Sequence, residues 1–110
     1  DFILMPSRVE PCGLNQMFAM RYGTIPIVRA IGGLKDTVKD IREEEGYGIC
    51  FEDFNLLEAE HAVYRAIELY EDQTKYNEVL ARIMKLDFSW SRSAKEYINL
   101  YKSLIKRVSK

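Results

Sequence analysis

Apolar residues follow two rhythms along this chain: short continuous runs, and longer stretches spaced at steps of three and four. Residues 1–5 carry apolar side chains on both faces, as a strand inside a parallel sheet requires, and Pro6-Ser7 stops the run. From Leu14 the spacing becomes helical, with Leu14, Met17, Phe18 and Tyr22 on one face and Gly23 suited to the C-terminal cap. Residues 24–29 are short and β-branched and predict a second strand. The Gly32-Gly33 pair then leads into residues 34–38. A third strand is predicted over 47–51, a helix over 56–71 and another over 74–86 with Tyr76, Val79, Leu80 and Ile83 inward. Asp87-Phe88-Ser89 breaks the pattern, and Ser89 is placed to cap the next helix. That long final helix carries Trp90, Ala94, Tyr97, Tyr101, Leu104 and Val108 as one stripe, read as a packing face. Three strands alternating with helices predict a parallel α/β unit without repeats or a linker.

In such a sheet the loops after successive strands lie on one edge and face the ligand crevice. Glu10, in the turn after the first strand, and Gly32-Gly33, after the second, are therefore expected to be neighbours. The turn carries one carboxylate (Glu10), one thiol (Cys12) and a glycine (Gly13) before the helix. Unpaired N–H groups and the positive end of a helix dipole at that junction suit a phosphate or a sugar hydroxyl. On these residues alone, Glu10 serves equally well as a carboxylate capping a helix that starts near Pro11, with Gly13 only permitting close packing.

The motifs together are more specific. Ser-Arg-x-Glu-Pro-Cys-Gly-Leu-x-Gln at 7–16, Met-Arg-Tyr-Gly-Thr-Ile-Pro at 20–26 and Gly-Gly-Leu-Lys-Asp-Thr-Val at 32–38 closely resemble bacterial glycogen synthases and plant starch synthases. Asp-Phe-Ser-Trp at 87–90 and Ser-Ala-Lys-Glu-Tyr at 93–97 repeat the C-terminal signature of that family. The resemblance implies a retaining glucosyltransferase that moves glucose from ADP-glucose to the non-reducing end of an α-1,4-glucan, with no cofactor beyond the donor. It implies a GT-B enzyme, of which residues 1–110 form the three-stranded parallel half of a Rossmann-like C-terminal domain. The N-terminal domain and the first half of the C-terminal domain then lie outside the chain.

By the same resemblance Glu10 is the carboxylate against the donor glucose. Cys12, Gly13, Leu14 and Asn15, with Gly32 and Gly33, approach the glucose and the distal phosphate. Phe18 stands where broader retaining transferases carry a second glutamate, which favours the glycogen and starch branch. Ile31 replaces the usual threonine before the glycine pair, and Gly46-Tyr47-Gly48-Ile49 replaces a more polar Gly-Thr-Gly. The family's diphosphate-neutralising cations are expected outside this chain. Arg8 and Arg29 lie near the loops, each equally a surface arginine paired with a carboxylate.

Composition adds exclusions. Sixteen basic and 17 acidic residues give a net charge of −1, so there is no basic field to hold nucleic acid. No apolar stretch approaches the roughly 18 residues of a membrane span, and a cytoplasmic protein, or a plastid one in a plant, is expected. Cys12 and Cys50 lack metal-ligand spacing; Cys50 reads as core and Cys12 as a thiol open to reagents. His61 reads as solvated beside Arg65 and Glu68, and Glu43-Glu44-Glu45 as a solvated turn, so no metal site is expected. The chain is expected to self-associate, through residues 1–5 or through the final helix around Trp90, Tyr97 and Tyr101. Two readings stay open: the catalytic part of a synthase, and a folding or interaction module that does no chemistry by itself.

Overall fold

A computed structural model describes residues 1–108, the side chain of Val108 excepted. Strands β1 (Phe2–Met5), β2 (Ile25–Arg29) and β3 (Ile49–Phe51) form one parallel sheet in the order β1-β2-β3. Phe2 pairs with Ile25 and Met5 with Val28, while Ile27 pairs with Ile49 and Arg29 with Phe51. The central strand β2 is buried from Ile25 to Val28, and β1 is an edge among the described residues. This is the parallel α/β unit that the sequence predicts. The third strand is shorter than 47–51, because the N–H groups of Tyr47 and Gly48 both turn to the carbonyl of Lys39.

Helices α1 (Asn15–Arg21), α2 (Gly33–Thr37), α3 (Leu56–Glu71) and α4 (Gln73–Met84) pack around the sheet, and α5 (Trp90–Val108) comes after them. One core cluster joins Met20, Ile25, Val28, Leu34, Val38 and Leu69 to Tyr76, Val79 and Ile83. A second joins Ile27, Ile49 and Phe51 to Ala62 and Ala66. The rings of Phe2, Tyr70 and Tyr76 lie 5.2–6.5 Å apart and pin the edge strand to the junction of α3 and α4.

Three helical faces differ from expectation. On α1 the buried residues are Gln16 and Met20, while Leu14, Phe18 and Tyr22 are exposed. The sheet lies on the side of α1 opposite its richest apolar stripe. On α3 the inward residues are Ala62, Ala66 and Leu69, so Arg65 turns inward between them while His61 and Glu68 stay exposed. On α5 every described side chain except the half-buried Ser93 is exposed. Its stripe is therefore not packed within the chain, and the place of Val108 in it lies outside the described residues. Ser89 does cap α5, accepting from the Arg92 N–H at 3.3 Å.

The inward turn of Arg65 builds the one strongly charged cluster of the described interior. Both Asp40 carboxylate oxygens accept from Arg65 Nη2, at 2.7 and 2.9 Å. Asp40 also accepts from the backbone N–H and Nε of Arg42 and from the Cys50 N–H. Burial by itself raises the Asp40 pKa, but the hydrogen bonds from Arg42, Arg65 and Cys50 together outweigh it and hold the carboxyl at about 2, against an ordinary 3.8. The ionised form thus favours the folded state, by about 2 kcal/mol on the shift alone. That contribution is present above pH 3.8 and is lost as pH falls toward 2. Urea unfolding across this window is expected to show the loss in the native protein, and Asp40→Asn should abolish its pH dependence there while lowering stability at neutral pH. Cys50, beside this cluster, has its thiol pushed up to about 12 by burial and by the Asp40 charge, in keeping with its reading as core.

Candidate functional site

The loops after β1 and β2 meet as parallel topology requires. The Gly33 N–H donates to the Glu10 carbonyl at 3.0 Å. A Cβ on Gly32 would fall inside the Glu10 carbonyl, and one on Gly33 inside the Cys12 carbonyl. The two glycines are therefore the surface on which the Glu10 turn rests, backbone against backbone. Gly32 is also at φ 54° and ψ −133°, a conformation essentially reserved for glycine. Gly13 has φ 78°, the left-handed turn that brings the chain from the Glu10 segment into α1.

Glu10 does not cap α1. The helix begins at Asn15 after Leu14, without a side-chain cap, five residues beyond Glu10. The Glu10 carboxylate instead accepts from the Ser7 hydroxyl at 3.3 Å, and the side chain is half-buried. Cys12, Leu14 and Asn15 are exposed on the same turn, Gly13 is half-buried, and Gly33 is buried beneath it. The structure thus gathers all seven site residues predicted from sequence at one edge of the sheet, and a sugar or phosphate there would meet backbone N–H groups, a thiol and one carboxylate.

Two residues that organise this edge carry no such role in the sequence reading. Gln16 is fully buried, and its Nε2 donates to the Gly13 carbonyl at 2.8 Å, to Thr37 Oγ1 at 3.0 Å and to the Cys12 carbonyl at 3.4 Å. Thr37 Oγ1 in turn donates to the Gly33 carbonyl at 2.8 Å, so a relay of side chains joins the Glu10 turn to α2 under the glycines. Gln16 Oε1 is buried without a partner among the described residues. In the sequence, Gln16 closes the motif at 7–16 and is a polar residue two places after an apolar helix start, and neither mark shows that it is buried. Arg29 is the second. It donates to the carbonyls of Arg8, Ser7 and Glu52 and stacks over Phe54 beside Arg8, rather than pairing with a carboxylate, one of the two readings left open for it.

Elsewhere, Asp40, Arg65, His61 and Glu58 line a separate cavity of about 800 Å³ between α2, β3 and α3. Glu43, Glu44 and Glu45 are exposed on a turn, and no three metal-ligating side chains gather among the described residues. No described helix is long and apolar enough to cross a membrane.

No protein-family profile matches the chain. Curated relatives do. The chain is 54% identical to a glycogen synthase of Kosmotoga olearia over 107 residues, 96% of this chain and 22% of that protein. It is 53% identical to a glycogen synthase of Flavobacterium johnsoniae, with 97% and 22% covered, and 55% identical to one of Aquifex aeolicus, with 94% and 22% covered. The catalytic domain of starch synthase IV from Arabidopsis thaliana, solved with ADP and acarbose, superposes with a TM-score of 0.84 at 40% identity, over 94% of this chain and 22% of that one. A sucrose-phosphate synthase from Thermosynechococcus elongatus superposes with a TM-score of 0.63 at 30% identity, over 96% of this chain and 26% of that one. The resemblance drawn from the motifs is borne out, and the chain spans about a fifth of the length of the glycogen synthases it matches.

Proposed function

We propose that this chain forms the donor-glucose wall of an ADP-glucose-dependent retaining glucosyltransferase that extends an α-1,4-glucan at its non-reducing end. The observation that carries the reading is the Glu10 turn seated on Gly32 and Gly33, in a chain more than half identical to glycogen synthases over nearly its whole length. A starch synthase of the same local fold, solved with ADP and acarbose, supports a nucleotide-sugar donor and a glucan acceptor.

In this reading Glu10 faces the donor sugar. Departure of the nucleoside diphosphate leaves positive charge on the anomeric carbon and ring oxygen, and a fixed carboxylate stabilises that charge or orients the sugar hydroxyls. The N–H groups of the turn at Gly13 to Asn15 and of Gly32 bind sugar hydroxyls and the distal phosphate, while the Gly33 N–H stays on the Glu10 carbonyl. The Arg29 guanidinium donates to backbone carbonyls, so cations for the diphosphate come from elsewhere in a longer enzyme. The 110-residue chain alone is accordingly inactive.

The test is ADP-glucose-dependent glucan elongation by a full-length synthase carrying this sequence, run beside the chain by itself. Activity in the first and none in the second is expected; a full-length protein that transfers no glucose overturns the reading. A cytoplasmic or plastid setting belongs to the same proposal. Because β1 is an edge and the α5 stripe is bare, the isolated chain is also expected to self-associate at micromolar concentration, which sedimentation velocity checks; a sharp monomer boundary would exclude it.

A further inference from the structure

The buried central strand ends in a side chain that reaches toward both of its neighbours. Arg29 is the last residue of β2, and β2 lies between β1 and β3. On one side, Arg29 Nη1 donates to the carbonyls of Arg8 at 2.9 Å and Ser7 at 3.3 Å, in the loop after β1. On the other, Nε donates to the carbonyl of Glu52 at 2.9 Å, in the loop after β3. The guanidinium carbon lies 5.6 Å from the centre of the Phe54 ring, and that of Arg8 lies 4.8 Å from the same ring. Ser7, whose carbonyl Arg29 holds, is also the residue whose hydroxyl holds the Glu10 carboxylate. One residue thus links the rigid strand to the carboxylate.

We infer that Arg29 is a positioning residue for Glu10: it fixes the entry of the turn against the sheet, while Gly33 and Gln16 fix its middle and exit. The inference rests on the role proposed above for Glu10. The planar fork of arginine suits this task because its donors point in fixed directions at three carbonyls and its face stacks on Phe54. Lysine offers one point charge with no plane. Displacement of a reacting group by about 1 Å can cost as much as 10²-fold in rate, so partial release of one anchor is expected to cost less.

In a full-length synthase carrying this sequence, Arg29→Gln and Arg29→Lys are expected to lower kcat about tenfold, with the donor KM changed less than about twofold. Hydrogen exchange on the same protein should speed up at Gly33, whose N–H holds the Glu10 carbonyl, and leave the β2 and β3 core amides as they were. An unchanged kcat, a raised KM with kcat intact, or exchange that quickens equally throughout the core would each overturn the inference. The exchange measurement also separates the two proposals: if Glu10→Gln proves fully active, Glu10 loses its role, yet the Gly33 amide still reports whether Arg29 holds the turn.

Discussion

Glu10→Gln in a full-length synthase carrying this sequence is expected to slow glucosyl transfer by about 10²-fold or more, with a far smaller change in donor affinity. Glutamine keeps the shape of the side chain and its hydrogen bond from the Ser7 hydroxyl, so the turn and its contact with Gly33 should survive. What is removed is a negative charge held where positive charge develops, and that interaction is stronger in the transition state than in the bound donor. Steady-state kinetics with ADP-glucose and a glucan primer, together with donor binding measured directly, separates the two quantities. A variant as fast as the parent would leave Glu10 a structural residue.

The second large effect is one of stability. Gly32→Ala is expected to destabilise the chain by about 3 kcal/mol, because it combines two separate penalties. The backbone at φ 54° and ψ −133° is strained for any side chain, and the new methyl group would overlap the Glu10 carbonyl, a backbone atom that cannot swing away. For a domain of this size the loss corresponds to a fall in melting temperature on the order of 15 °C. Gly23→Ala is the natural comparison. Gly23 also has a positive φ, of 78°, but a Cβ there meets only the Met84 sulfur at 3.5 Å, so conformational strain acts alone and a loss of about 1 kcal/mol is expected. Equal melting temperatures for the two variants would show that the contact with the Glu10 turn does not bear on stability.

The parts of the fold that are legible in the sequence are those fixed by local pattern. Continuous apolar runs mark β1 and β2, the helix predicted over 56–71 has the observed bounds of α3, and Ser89 caps α5 as its position suggests. The meeting of Glu10 with Gly32 and Gly33 is legible too, because a parallel sheet sends both loops to the same edge. What escapes depends on which neighbour covers a face. The stripe of Leu14, Phe18 and Tyr22 is helical in spacing, yet the sheet lies against Gln16 and Met20 on another side. Arg65 reads as solvated because it is charged, although Ala62, Arg65, Ala66 and Leu69 share one face. Its partner Asp40 lies 25 positions away in the chain, beyond any local rule. Arg29 and Gln16 escape for a related reason: both bind backbone carbonyls, which every residue carries and no sequence pattern marks.

The bare stripe of α5 has an optical consequence. Trp90 is the single tryptophan of the chain; it stands at the first turn of α5 and is 89% exposed. Indole emission therefore originates outside both core clusters, from a ring already surrounded by water, and melting of the sheet would change it little. Tyrosine absorbance is better placed to follow unfolding, since Tyr76 is buried among core residues. Tryptophan emission is left as a nearly silent background against which the covering of α5 by any second surface would register as a blue shift.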